Sequence, residues 1–312
     1  MRRVVALITL TLLVCAPAAP AVAHEWHTLA PAQLKRTEVS AARIGNAIFV
    51  AGGFELVSGR STDAVERYDL GTNRWTRRAP LPAALNHAAA AVYKGDLYIV
   101  GGYTDGDVEQ ATLYRYEPRK DRWTALAPMP TPRGALTAGV IGDRLYAAGG
   151  ASDGTALTTL EVYSFKTGRW SPAPPMAVAR EHLGGAVSGN AFYVLAGRAP
   201  SNLTVVERYV PAKRAWQPVP DVERARGGTA ATTLSDGRIV IAGGEEAAGT
   251  IPEVELFDPR TRRWSALAAM PRPRHGLGVV ARGRTVFTVQ GGVRPGFSFS
   301  SALERLRVAP RT

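Results

Sequence analysis

Residues 262–292 read RRWSALAAMPRPRHGLGVVARGRTVFTVQGG: a tryptophan, a Met-Pro, an arginine, two short apolar runs and a double glycine. Residues 121–150, DRWTALAPMPTPRGALTAGVIGDRLYAAGG, hold the same features in the same order. Working outward, the tryptophans are Trp26, Trp75, Trp123, Trp170, Trp216 and Trp264 and no others, in steps of 49, 48, 47, 46 and 48. The pairs Gly52-Gly53, Gly101-Gly102, Gly149-Gly150, Ala196-Gly197, Gly243-Gly244 and Gly291-Gly292 keep the same beat. An aromatic stands seven residues before each later tryptophan: Tyr68, Tyr116, Tyr163, Tyr209 and Phe257. A period near 48 residues marks a repeat architecture of six units.

Each unit reads as four short strands. In the third, GALTAGVI, DRLYAAGG, LTTLEVYSF and RWSPAP are β-branched or aromatic runs bounded by Gly, Pro and Asp. KTGR between the last two is a tight turn, with Gly168 suited to a positive φ. Nothing between the strands has a helical period. Four strands per unit, repeated radially, describe an all-β propeller with four-stranded antiparallel blades.

The diglycine closing strand two, the tyrosine in strand three and the tryptophan beyond it resemble the kelch repeat. The resemblance spans residues 24–312 in six concordant copies. It implies that these glycines and tryptophans are structural. Glycine lets a neighbouring backbone approach, and Trp and Tyr fill the wedge between blades. Ala196 for a glycine and Phe257 for a tyrosine are mild departures.

The sixth unit is incomplete. LERLRV aligns with LEVYSF, putting Leu306 where a tyrosine belongs, and the matching tryptophan falls past Thr312. The missing strand stands at the other end, where EWHTLAP aligns with DRWTALAP. Residues 24–30 are therefore expected to supply the outer strand of blade 6, closing the ring and removing an open edge.

Residues 1–23 read as a cleaved signal peptide: a charged MRR, the apolar run Val4–Val14, and Ala21-Val22-Ala23 as the cleavage site. The one cysteine, Cys15, lies inside it, so residues 24–312 offer no disulfide or thiol chemistry. No later segment is apolar enough to span a membrane. The reading is an exported bacterial protein, secreted or periplasmic, and monomeric. A net charge of +12, mostly arginine, favours anionic partners.

Length varies chiefly in the loop joining strands two and three. That loop shares an end of the propeller with the link into the next innermost strand, where binding sites on rigid scaffolds gather. Ten residues after each tryptophan come Arg36, Leu85, Arg133, Arg180, Arg226 and Arg274. Five guanidinium groups at this entry suggest a ring for carboxylate, sulfate or phosphate. The resemblance points the same way, because kelch receptors for acidic peptides line their central pocket with such arginines. A purely structural role, bonding loop carbonyls or a carboxylate, is the competing reading. Two positions on stand Glu38, His87, Ala135, His182, Gly228 and Gly276, with His275 one place earlier in blade 6. Glu38, His87 and His182 are the candidate catalytic residues, as acid, base or proton carrier.

Two functions are expected from these residues. The first is a binding or scaffold module for an acidic protein or peptide, or an anionic glycan. The second, implied by kelch resemblance to exported sialic acid mutarotases, is a carbohydrate-active enzyme. Copper chemistry of the galactose oxidase type needs a Cys–Tyr crosslink that residues 24–312 cannot form. No metal-binding or phosphate-loop motif appears and no cofactor is expected. Nothing interleaves basic and aromatic residues for nucleic acid.

Overall fold

The computed structural model of the protein describes residues 25–311; the expected signal peptide lies outside them. Six four-stranded antiparallel sheets are arranged as blades. In blade 3, Thr137–Ile141 is innermost, followed outward by Arg144–Ala148, Leu160–Ser164 and Arg169–Ala173. The second strand is covered by a neighbouring blade on both faces, so Leu145 to Ala148 are all buried and read as an uninterrupted apolar run. The outer strand is largely exposed and correspondingly polar. Among the described residues the one helical element is a 3-10 turn, Pro211–Lys213, and no helix is long and apolar enough to cross a membrane.

The repeated residues sit where blades meet. Tyr68 pairs across the sheet with Trp75, their rings 5.1 Å apart, and the pairs Tyr116–Trp123, Tyr163–Trp170, Tyr209–Trp216 and Phe257–Trp264 repeat this. Each indole N–H also donates to a carbonyl of the chain running in from the preceding blade. Trp75 bonds Ala30 at 2.8 Å, Trp123 bonds Ala79 at 2.9 Å, and Trp26 bonds Ala268 at 2.9 Å. One side chain thus fills the wedge with apolar area and satisfies a buried carbonyl. The diglycine does a different job. A Cβ on Gly243, at φ +71°, would lie 2.4 Å from the carbonyl oxygen of Arg274 in the next blade. The same approach lets Gly244 N–H donate to that oxygen at 2.9 Å, and an equivalent bond crosses each of the other five blade boundaries.

Trp26–Thr28 pairs antiparallel with Leu303–Arg307, Trp26 opposite Leu306, so the first described strand completes blade 6. The ring is closed, and the outer edge of the Leu303–Arg307 strand is covered. One expectation is corrected here. In blade 6 the two residues in the left-handed conformation are Gln290 and Gly291, at φ +54° and +96°, not Gly291 and Gly292. Gly291 N–H makes the inter-blade bond, to Arg36 O. Gln290 tolerates a glycine's place because its buried amide donates to Leu34 O and the Glu66 carboxylate. Gly292 falls one register further on, bridged to His275.

Candidate functional site

The five arginines expected to ring the mouth are not open to a ligand. Arg36, Arg133, Arg180, Arg226 and Arg274 are each 0% exposed. Each pairs with a buried glutamate of its own blade's third strand: Glu66, Glu161, Glu207, Glu255 and Glu304, at 2.5–2.9 Å. Arg133 also donates to the carbonyls of Thr131, Ala147 and Gly149. Three of the glutamates in turn accept backbone N–H groups of the incoming link, Glu66 from Gln33, Glu207 from Ala177 and Glu255 from Glu223. Burial pulls all five guanidinium groups down, Arg36 and Arg274 to about 10. A charge bought so dearly in desolvation is retained only because its partner is in place. Blade 2 shows the same logic inverted: Leu85 replaces the arginine, and Tyr114 replaces the glutamate.

The column two residues on does reach the mouth. Glu38, His87, Ala135, His182, Gly228 and Gly276 all adopt the left-handed conformation, with φ between +51° and +66°. Their amides and carbonyls form a hydrogen-bonded circuit across blade boundaries: His87 N–H to Glu38 O, Ala135 to His87, His182 to Ala135, Gly228 to His182, Gly276 to Gly228. Val39 N–H, donating to Gly276 O, completes it. Below this circuit the innermost strands present Ala41, Ala90, Ala138, Gly185, Ala231 and Val279 to a narrow axial channel.

Glu38, His87 and His182 converge. His87 Nε2 lies 3.2 Å from Glu38 Oε2, and the His87 and His182 rings meet edge to face with centroids 4.7 Å apart. His275 Nδ1 holds the other Glu38 oxygen at 3.1 Å. Burial alone would raise the Glu38 carboxyl, but His87, the His275 hydrogen bond and His182 together hold it well below the carboxylate range. Burial pushes the His87 imidazole down to about 4, outweighing the nearby Glu38 charge. For His275 burial is overcome by Glu38 and Glu245, and its affinity for a proton rises. The donor atoms of Glu38, His87 and His182 lie within 4.8 Å of one another, a set able to hold a metal ion.

Four further residues complete the mouth and were not singled out in the sequence. Arg198 donates to Glu181 at 2.6 Å and to Glu245 at 3.1 Å, and Glu181 accepts His182 Nδ1. Tyr103 packs edge-on against His87. Glu181 belongs to the column between the arginines and the histidines, while Tyr103, Arg198 and Glu245 stand just past the diglycine in blades 2, 4 and 5. Isolated bridges tie the two columns together, Asn86 to Tyr103, Glu181 to Arg198 and Gly227 to Glu245. Both columns were available to the repeat register that located the histidines. Between Tyr103, Arg198 and Pro200 opens a cavity of about 770 Å³, large enough for a side chain or small ligand.

This architecture defines a kelch-repeat propeller, and comparison with known proteins agrees. The family model described as the KLHDC2/KLHL20/DRC7 Kelch-repeats domain matches residues 38–225, and the Kelch motif matches residues 226–271. The chain belongs to the kelch-repeat family. Kelch-like protein terF of Aspergillus terreus is 32% identical over 304 residues, covering 89% of this chain and 65% of that protein. Human Kelch-like protein 35 is 36% identical over 85 residues, covering 27% of this chain and 14% of its own length. The chain thus spans less than two thirds of these relatives. A solved structure, titled "Structure of YjhT", superposes with a TM-score of 0.75 at 15% identity, covering 88% of this chain and 95% of that one.

Proposed function

We propose that this kelch propeller is an exported, non-enzymatic binding module that captures an acidic, amphipathic segment of a partner protein at its loop-bearing end. One observation carries the reading. The large apolar side chains left exposed, Leu56, Val57, Val108, Val293 and Phe297, all stand on the loops joining strands two and three. Val57 is 90% exposed and Phe297 58%, which no packing requirement of the propeller explains. Phe297 contacts Phe54 and Phe299, and Phe54 contacts His87, so the apolar patch of blades 6 and 1 runs into the polar mouth. Lys35, Arg60 and Arg294 are exposed beside it. With the ring arginines buried, these three cations flank the apolar patch and can meet a partner's carboxylates.

An enzymatic reading has less support. Glu38 and His87 sit at hydrogen-bonding distance, but near neutral pH both are in their basic forms, and His275, which holds a proton more readily, is 2% exposed. Interconverting sugar anomers needs an acid as well as a base within reach of the substrate. The test of the binding reading is selection of peptides from a random displayed library on the wild-type protein. Selected sequences should combine aromatic or aliphatic anchors with Asp or Glu, bind less tightly as salt rises, and lose affinity for Val57→Asp/Phe297→Asp. Peptides that bind this variant as well as wild type would overturn it.

A further inference from the structure

We propose that Glu38, His87 and His182 form a binding site for one divalent first-row transition-metal ion, with zinc as the type. The proposal is independent of which partner the apolar rim takes.

The first argument is the direction of the hydrogen bonds. Asp105 accepts the backbone N–H of Ser61 at 2.8 Å. The Ser61 oxygen accepts from Asn86 Nδ2, at 2.8 Å. This orients the Asn86 amide so that its oxygen faces His87 Nδ1, which must carry the ring proton. His87 Nε2 is left with a lone pair, and it faces the Glu38 carboxylate at 3.2 Å. Two lone pairs facing each other at that distance offer a place for a cation between them. His182 is set the same way. Its Nδ1 donates to Glu181, whose other oxygen is held by Arg198, so Nε2 is presented as a lone pair. A histidine whose second nitrogen is fixed by a carboxylate or amide oxygen is the usual supporting arrangement behind a metal ligand. Glu38 has its own support, in His275 Nδ1 on the oxygen turned away from His87.

Arg198 is the apparent competitor. Its Nη2 lies 3.3 Å from His182 Nδ1 and 3.2 Å from Nε2. An atom equidistant from both nitrogens sits beside the carbon between them, off the axis of the Nε2 lone pair, so that lone pair stays available. The carboxylates of Glu38, Glu181 and Glu245 outnumber this one guanidinium and favour a doubly charged ion.

The second argument is the backbone. At this column blades 5 and 6 use Gly228 and Gly276, the residues suited to a left-handed φ. Blades 1, 2 and 4 instead hold Glu38, His87 and His182 there, at φ +52°, +51° and +52°. Side chains kept in a disfavoured conformation, all three metal-ligating in type, point from strain to function.

Two imidazole nitrogens and one carboxylate oxygen suit zinc, iron or cobalt rather than magnesium or calcium. Bonds of about 2.1 Å hold tetrahedral donors roughly 3.4 Å apart. The donors here lie within 4.8 Å of one another, so binding draws the imidazoles inward by side-chain rotation. The remaining coordination positions would face the mouth and its cavity.

The test uses protein stripped with chelator, then equilibrium dialysis against Zn²⁺ and visible absorption with Co²⁺. Wild type should bind one equivalent, and Co²⁺ should develop ligand-field bands. His87→Gly/His182→Gly keeps the backbone conformation and should abolish both signals. Glu38→Gln should weaken binding without unfolding the chain. Asn86→Ala leaves every ligand in place and should weaken binding by about 10–100-fold. Wild type that takes up no stoichiometric metal, or uptake equal to wild type by the His87→Gly/His182→Gly and Glu38→Gln variants when circular dichroism shows them folded, would overturn the site.

Discussion

Exchanging the Arg133–Glu161 pair of blade 3 for the Leu85–Tyr114 pair that blade 2 carries in the same places tests what the arginine column does. Arg133 is the appropriate member: it is fully buried, every guanidinium nitrogen has a partner, and Glu161 is nearly as enclosed. Arg133→Leu alone strands the Glu161 carboxylate with only the Thr131 hydroxyl, and takes a donor from Gly149 O. Breaking a buried pair from one side costs about 3–5 kcal/mol. At roughly 2 °C per kcal/mol for a chain this long, Tm should fall by about 6–10 °C. Glu161→Tyr alone should cost as much, by stranding the guanidinium.

The double variant should behave differently. In blade 2 the carbonyl of Gly101, equivalent to Gly149, is satisfied by the Thr112 hydroxyl at 3.1 Å. Blade 3 has Thr159 in the matching place, so the same rescue is available. Replacing both partners of a buried ion pair by apolar groups is often near neutral. Arg133→Leu/Glu161→Tyr should therefore lie within about 2 kcal/mol of wild type, and the cycle should show a coupling of about 4 kcal/mol or more. Guanidinium chloride or thermal unfolding followed by circular dichroism measures all four proteins. If Arg133→Leu costs under about 1 kcal/mol, well below the cost of a broken buried pair, and removes binding of an anionic ligand, the arginines are a binding ring and the reasoning fails.

Removing residues 24–30 should markedly lower Tm, because it exposes the Leu303–Arg307 edge and removes the Trp26 bond to Ala268; an unchanged melting curve would contradict closure by this strand. Gly243→Ala and Gly283→Ala make a matched pair, both at positive φ: the first drives a Cβ to 2.4 Å from Arg274 O, while the second meets open space. Gly283→Ala should cost about 1–2 kcal/mol from the backbone alone, and Gly243→Ala clearly more; equal losses on chemical denaturation would argue against the close approach. Burial holds the phenols of Tyr98, Tyr146 and Tyr163 above their ordinary value, Tyr98 at about 12. Their neutral forms favour the folded state, a contribution present below pH 10 and lost as pH rises toward 12, so native phenolate absorbance should appear late and stability should fall in that window. For free sialic acid followed by NMR, the protein should leave the rate of anomer interconversion at the buffer value; acceleration that disappears in His87→Ala/His182→Ala would restore the enzymatic reading.

The fold was legible because its stabilising contacts repeat. A tryptophan that bonds the preceding blade and a glycine that admits the next must recur at every boundary, and recurrence is visible in a single chain. The role of the arginines was legible too, but from a column left unread. Glutamate stands beside the third-strand aromatic or its Leu306 equivalent in five units, and is absent where arginine is absent, at Tyr114 opposite Leu85. Two residues that vanish together are a buried pair, whereas arginines meant for a shared external ligand would have no reason to track a glutamate of their own blade. The shifted glycine pair of blade 6 was not legible. Gly291-Gly292 satisfies the pattern by letter, and the backbone of Gln290 and Gly291, with the Gln290 amide bonded to Leu34 and Glu66, reveals that the register moved.

The mouth resists sequence reading for a further physical reason. The circuit from Glu38 through His87, Ala135, His182, Gly228 and Gly276 is made by backbone groups, so the propeller asks of this column only a conformation and not a side chain. Glycine would serve at all six places with the least strain. Side chains there are free to vary without breaking the ring, which makes the column a natural place for function and also removes the repeat as a guide to it. What distinguishes this chain is its departure from symmetry: carboxylate and imidazoles on blades 1, 2 and 4, with Glu181, Arg198 and Glu245 gathered around blades 4 and 5. Such groups are costly to bury, and the backbone circuit is made equally at Ala135 and Gly276 without them. Their convergence above a closed ring gathers the charged groups of the mouth on one side of one face, next to the loops that carry the exposed apolar residues.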